Sequence, residues 1–153
     1  MLRRTDGCPA PHQSVRSPGP VDPRRFHLQT TMTPCIVIAE DDADLAQLMG
    51  LVLSYEGFEV TLTSDGRGAL RALDERPHCL VVLDLMMPGM DGHEFRRRQQ
   101  EQQHLAGTPV LVVSARHNAA DIARSLRVEG FLAKPFTPEA LVQAVRAIVG
   151  PPS

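Results

Sequence analysis

Five residues could do chemistry together in this sequence, and each stands where an apolar run stops. Cys35-Ile36-Val37-Ile38-Ala39 ends at Glu40-Asp41, Leu80-Val81-Val82-Leu83 at Asp84, Pro109 to Val113 at Ser114, and Phe131-Leu132-Ala133 at Lys134. Clustered carboxylates repel, and repulsion raises a pKa unless a cation neutralises it. Oxygen ligands from a few acids, a backbone carbonyl and water suit Mg²⁺; no His or Cys spacing suggests zinc. A metal held by acids, an ammonium and a hydroxyl around one carboxylate form the equipment for phosphoryl transfer. Asp84 is the acid placed to attack, with Ser114 and Lys134 donating to phosphoryl oxygens. The product is an aspartyl phosphate. It adds about 1.5–2 negative charges at one point, which is a switch mechanism.

The elements that must position these groups follow from pattern. A strand buried on both faces reads as a continuous apolar run, as the runs ending at Ala39, Leu83 and Val113 do. The alternation of Phe58, Val60 and Leu62 predicts a more exposed second strand, and Phe131 to Ala133 a short fifth one. Between them fall helical spacings. Asp42 or Asp44 caps a helix with Leu45, Leu48, Met49, Val52 and Leu53 inward and Gly57 as its stop. Ser64 or Asp65 opens a second, with Ala69, Leu70 and Leu73 on its inner face. A third runs from about His93 to Gln103, with Arg96-Arg97-Arg98 on a solvated face. A fourth passes through Ile122, Leu126 and Val128, and Thr137 with Pro138 starts the last. Strands alternating with helices through right-handed crossovers give a mostly parallel sheet covered on both sides. In such a sheet the carboxyl ends of the strands share one edge, where ligands bind.

Composition sets bounds on this reading. The 153 residues are one domain's length, and 42% hydrophobic residues suffice for a core. Residues 1–33 carry five Arg against two acids, while the rest carries eleven bases against sixteen acids. The acidic balance beyond residue 33 argues against direct nucleic-acid contact. Fifteen of the sixteen basic residues are Arg, so Lys134 is the only ammonium side chain. Cys8, Cys35 and Cys79 show no metal spacing. Cys35 and Cys79 fall in apolar runs, which fits a reducing, cytoplasmic setting. No apolar run reaches the roughly 20 residues of a membrane span. Residues 1–33, with five Pro and no apolar periodicity, read as a disordered extension, and Met32 is an alternative start.

Four segments in order carry a resemblance: Ile36-Val37-Ile38-Ala39-Glu40-Asp41-Asp42, Asp84-Leu85-Met86-Met87-Pro88-Gly89-Met90-Asp91-Gly92, Val113-Ser114-Ala115 and Lys134-Pro135-Phe136. Over residues 34–150 the sequence resembles the receiver domain of two-component response regulators. The resemblance implies a flavodoxin-like doubly wound (βα)5 fold with strand order 2-1-3-4-5. It implies that Asp84 is the phospho-acceptor, that Glu40 and Asp41 serve Mg²⁺, and that the Met86 carbonyl joins the metal shell. Ser114 matches the switch hydroxyl, Lys134 the phosphate-binding lysine and Phe131 the switch aromatic, and the Lys134–Pro135 bond matches one usually cis. The implied partners are a sensor histidine kinase or histidine phosphotransfer protein and a downstream protein target, with no membrane. The fourth and fifth helices with the last strand are the face where such domains engage partners.

Two departures fall on that face. The stretch from Ser114 to Phe131 is about two residues shorter than is common, and Arg127 stands where the family often has Gly. The expected function is a single-domain switch, with no output domain and no turnover activity. The alternatives are a phosphate-passing relay intermediate and a pseudo-receiver scaffold. A dehalogenase-type phosphatase would need an acid two residues after the nucleophile, where this chain has Met86.

Overall fold

A computed structural model of the chain describes residues 33–152. The expected N-terminal extension and the alternative start at Met32 fall outside the described residues. Strands β1 (Cys35–Ala39), β2 (Glu59–Thr63), β3 (Leu80–Asp84), β4 (Val110–Ser114) and β5 (Gly130–Ala133) form one sheet. The order is β2-β1-β3-β4-β5 and every pairing is parallel, as the resemblance implied. The three central strands are buried along their whole length, which explains their unbroken apolar runs. The edge strands β2 and β5 mix half-buried and exposed residues.

The period of two along each strand splits the apolar residues between two cores. Val37, Ala39, Val81, Leu83, Val110 and Val112 pack on one face against α2 (Gly66–Glu75), α3 (Gly92–Glu101) and α4 (Ala119–Leu126). Ile36, Ile38, Leu80, Val82, Leu111 and Val113 pack on the other against α1 (Ala43–Tyr55) and α5 (Pro138–Val149). Each fully buried aliphatic side chain contributes about 1.5–3 kcal/mol, so the two layers fix the central strands firmly. The carboxyl ends of these strands inherit that rigidity.

Caps set where helices begin. Asp42, not Asp44, opens α1, accepting from the amides of Asp44 and Leu45. Asp65, not Ser64, opens α2 through the Gly68 amide. Asp91 caps α3 at the Glu94 amide, and Thr137 caps α5 at the Ala140 amide with Pro138 behind it. Gly92 sits in a crowded place: a Cβ there would stand 2.6 Å from Leu85 Cδ2, so a larger residue at the start of α3 would force the Leu85 side chain to shift.

Several expectations need correction. Phe58 is buried but precedes β2, which begins at Glu59. Helix α3 stops at Glu101, and a separate helical turn over Gln103–Ala106 buries Leu105. Helix α4 ends at Leu126, before Val128, because Arg127 takes a left-handed conformation with φ 54°. Leu48 is 53% exposed, since the inner face of α1 is carried by Ala46, Met49, Gly50 and Leu53. Arg96 is not solvated. Its guanidinium donates to the carbonyls of Leu126 (3.1 Å) and Arg127 (2.9 Å) and to Gln99 Oε1 (2.8 Å).

Candidate active site

The ends of β1, β3, β4 and β5 meet at one edge of the sheet. Glu40 directly follows β1, Asp84 and Ser114 are the last residues of β3 and β4, and Lys134 directly follows β5. Register aligns them: Ala39 pairs with Leu83, Asp84 with Val113, and Ser114 with Ala133. Glu40, Asp84 and Ser114 are all buried, whereas Asp41 is exposed.

One ligand oxygen from each of Glu40, Asp41 and Asp84 lies within 4.8 Å of the other two. Three hard oxygen donors this close fit a small divalent cation such as Mg²⁺ far better than any soft metal. Lys134 supplies a fixed positive charge beside them. Its Nζ lies 2.7 Å from Glu40 Oε2 and 3.2 Å from Asp84 Oδ2. Backbone amides hold the carboxylates in place: Asp42 donates to Glu40 Oε1 (3.2 Å) and Met86 to Asp84 Oδ1 (2.9 Å). The Ser114 Oγ accepts from the Arg116 amide at 3.1 Å, which leaves its hydroxyl proton available to donate elsewhere.

The electrostatics follow from burial and pairing. Burial pushes the Glu40 carboxyl up, partly offset by Lys134 and the Asp42 amide, while Asp84 beside it pushes further in the same direction. Burial pulls Lys134 down, but its hydrogen bond to Glu40 and the charge of Asp84 outweigh this, and the amine is held above its ordinary value. Lys134 therefore remains a cation in the cleft.

The structure thus brings Glu40, Asp41, Asp84 and Lys134 within reach of one another, with Ser114 on the neighbouring strand. The Lys134–Pro135 bond is cis. Phe131 pairs with Val112 on edge strand β5 and is partly exposed, two residues before Ala133, the partner of Ser114. Met86 contacts Asp84 through its amide. Arg116 is exposed, and its amide, not its charge, meets Ser114. The sequence reading missed the direct Glu40–Lys134 pair and all three amide donors. Backbone amides carry no residue signature, so nothing in the sequence could have shown them.

Strand order, strand-end acids and the single lysine together have the form of a receiver domain. The chain belongs to the response regulator receiver domain family, which matches residues 36–146. It is 37% identical over 119 residues to the DNA-binding response regulator MtrA of Mycobacterium tuberculosis, a match covering 76% of this chain and 51% of MtrA. The chain spans about half the length of the curated relatives it matches. Among solved structures it is similar to the chemotaxis protein CheY4 of Vibrio cholerae (TM-score 0.71, 25% identity, 76% of this chain and 99% of CheY4). It is also similar to the receiver domain of the sensor histidine kinase PA1611 of Pseudomonas aeruginosa (TM-score 0.69, 25% identity, 78% and 99%), which holds a magnesium ion in its active-site cleft. No helix among the described residues is long and apolar enough to cross a membrane.

Proposed function

We propose that this receiver domain is a phosphorylation switch in which a sensor histidine kinase, or a histidine phosphotransfer protein, phosphorylates Asp84. The observation that carries the reading is the cluster of Glu40, Asp41 and Asp84 oxygens closed on one side by the Lys134 ammonium. In the reaction, an Asp84 carboxylate oxygen attacks the phosphorus of the donor. The phosphorus–nitrogen bond breaks, the histidine leaves, and an acyl phosphate forms. Glu40, Asp41, Asp84 and the Met86 carbonyl would hold Mg²⁺, which supplies charge neutralisation at the phosphoryl oxygens. Lys134, released from part of its pairing with Asp84, takes up a phosphoryl oxygen. Ser114 turns its free hydroxyl proton toward another, and Phe131 follows by changing rotamer. Water attack at phosphorus later restores Asp84 and frees phosphate. The domain is therefore no turnover enzyme.

The donor has a surface to use. Beside Lys134 and Ala115 lies an apolar cavity of about 280 Å³ lined by Leu45, Met49, Phe136 and Leu141, and the exposed Leu48 continues it along α1. The output is read through protein contacts on α4, β5 and α5 in the cytoplasm. Residues 34–150 themselves make no nucleic-acid contact; their acidic balance supports this, while the DNA-binding character of MtrA belongs to a longer protein of which the match covers 51%. A relay intermediate remains the second reading, supported by the same cleft.

The test is incubation with Mg²⁺ and acetyl phosphate, then with a phosphorylated histidine kinase. A mass gain of one phosphoryl group that requires Mg²⁺ is expected. No gain from either donor would contradict the switch.

A further inference from the structure

Helices α2 and α3 leave between them an open groove of about 890 Å³ on the sheet face opposite α1 and α5. Four guanidiniums line it: Arg67 and Arg71 from α2, Arg97 and Arg98 from α3. The pairing within it is uneven. Arg97 is bound to Glu101 and Arg98 to Glu94, each at 2.6 Å and one helical turn apart. The groove's remaining carboxylate, Asp74, is held by His104 at 2.8 Å. Arg67 and Arg71 have no carboxylate within ion-pair distance among the described residues, and both are exposed. A local positive site therefore stands on a stretch where, beyond residue 33, acids outnumber bases sixteen to eleven.

We infer that this groove docks an acidic segment of a partner protein, with Arg67 and Arg71 as the reading pair. Four residues apart on a helix, they present two forks about 6 Å apart along the axis, matching glutamates spaced one turn apart on an acidic helix. Guanidinium forks favour carboxylates because both hydrogen bonds can form at once. A nucleotide is disfavoured because no aromatic side chain lines the groove for a base to stack on. Duplex DNA is disfavoured because the acidic remainder would repel a long polyanion. A membrane is disfavoured because Leu70 alone offers an apolar contact. The proposal is independent of the phosphoryl chemistry, since none of these residues belongs to the cleft.

The probe is a fluorescent helix-forming peptide with glutamate pairs four residues apart, measured by anisotropy on the full chain, with amide shifts mapped by NMR. Binding that perturbs α2 and α3, weakens with salt, and falls at least tenfold in Arg67→Glu/Arg71→Glu is expected. The milder Arg67→Gln/Arg71→Gln variant, which keeps two good helix formers, should weaken binding severalfold with an unchanged circular dichroism spectrum. Equal affinity for native and charge-reversed chains, shifts located elsewhere, or tighter binding of a DNA duplex than of the peptide would each overturn the proposal.

Discussion

Lys134 holds its ammonium 2.7 Å from Oε2 of Glu40, a residue 94 positions earlier in the chain. One cation thus serves a cluster of three acids, since Asp84 Oδ2 also lies 3.2 Å from it. The cluster remains over-charged until a second cation arrives, and that imbalance makes the site's stability responsive to Mg²⁺.

Asp84→Asn removes one of the three charges and keeps the Glu40–Lys134 pair. In chelated buffer the variant should be more stable than the native chain by about 1 kcal/mol, because an excess buried carboxylate is costly. Saturating Mg²⁺ should reverse the order. A ligand at 100 times its Kd stabilises by about 2.7 kcal/mol, and the variant should lose most of that gain. Thermal unfolding with and without Mg²⁺ checks both signs; equal Mg²⁺ stabilisation of the two chains would contradict the assigned metal site.

Gln99 is fully buried and spends both ends of its amide: Nε2 on the Leu105 and Thr108 carbonyls at 3.0 and 2.8 Å, Oε1 on Arg96. Gln99→Leu should cost about 2–3 kcal/mol in urea unfolding, because it strands two carbonyls and one guanidinium donor. Gln100→Ala, at an exposed neighbouring position, should stay within about 0.5 kcal/mol.

Arg127 is the single non-glycine residue with positive φ among the described residues, at the end of α4. An L side chain there costs about 1–2 kcal/mol. Arg127→Gly should recover roughly 1 kcal/mol with an unchanged denaturant slope. The Arg96 guanidinium bonds only the backbone carbonyl of Arg127, so that bond survives the change.

Burial pushes the Cys79 thiol from its ordinary 9.0 up to about 11. Its folded pKa lies above its unfolded one, so its stabilising contribution is full below pH 9 and declines as pH climbs toward 11. Lys134, raised from 10.5, has the same sign but acts only above that value. Between pH 9 and 10.5 the native chain should therefore lose stability faster than Cys79→Val. Parallel pH profiles of the two in urea would contradict the burial of this thiol.

Much of this molecule was readable from its residues. The runs ending at Ala39, Leu83 and Val113 are unbroken because both sheet faces are covered, and unbroken runs are easy to see. Glu40, Asp84 and Ser114 stand out because each terminates such a run, and Lys134 because it closes a short apolar strand and is the only lysine. Leu48 misled because helical spacing cannot tell an inner stripe from an exposed one beside it. The Arg96-Arg97-Arg98 run misled for a different reason: a charged triplet looks solvated, yet Arg96 finds its partners in carbonyls 30 and 31 residues away. Gln99 was lost in a Gln-rich stretch because its value depends on carbonyls exposed by the break at Gln102.

The phosphoryl group's position is the most direct measurement of all. After reaction with acetyl phosphate and Mg²⁺, borohydride reduction converts an aspartyl phosphate to homoserine, which peptide mass spectrometry can locate. The label should fall at Asp84 alone, and Asp84→Asn should take up none at matched donor concentration. Homoserine at Asp41 or Glu40-derived reduction product in the native chain, or undiminished labelling of Asp84→Asn, would contradict Asp84 as the acceptor.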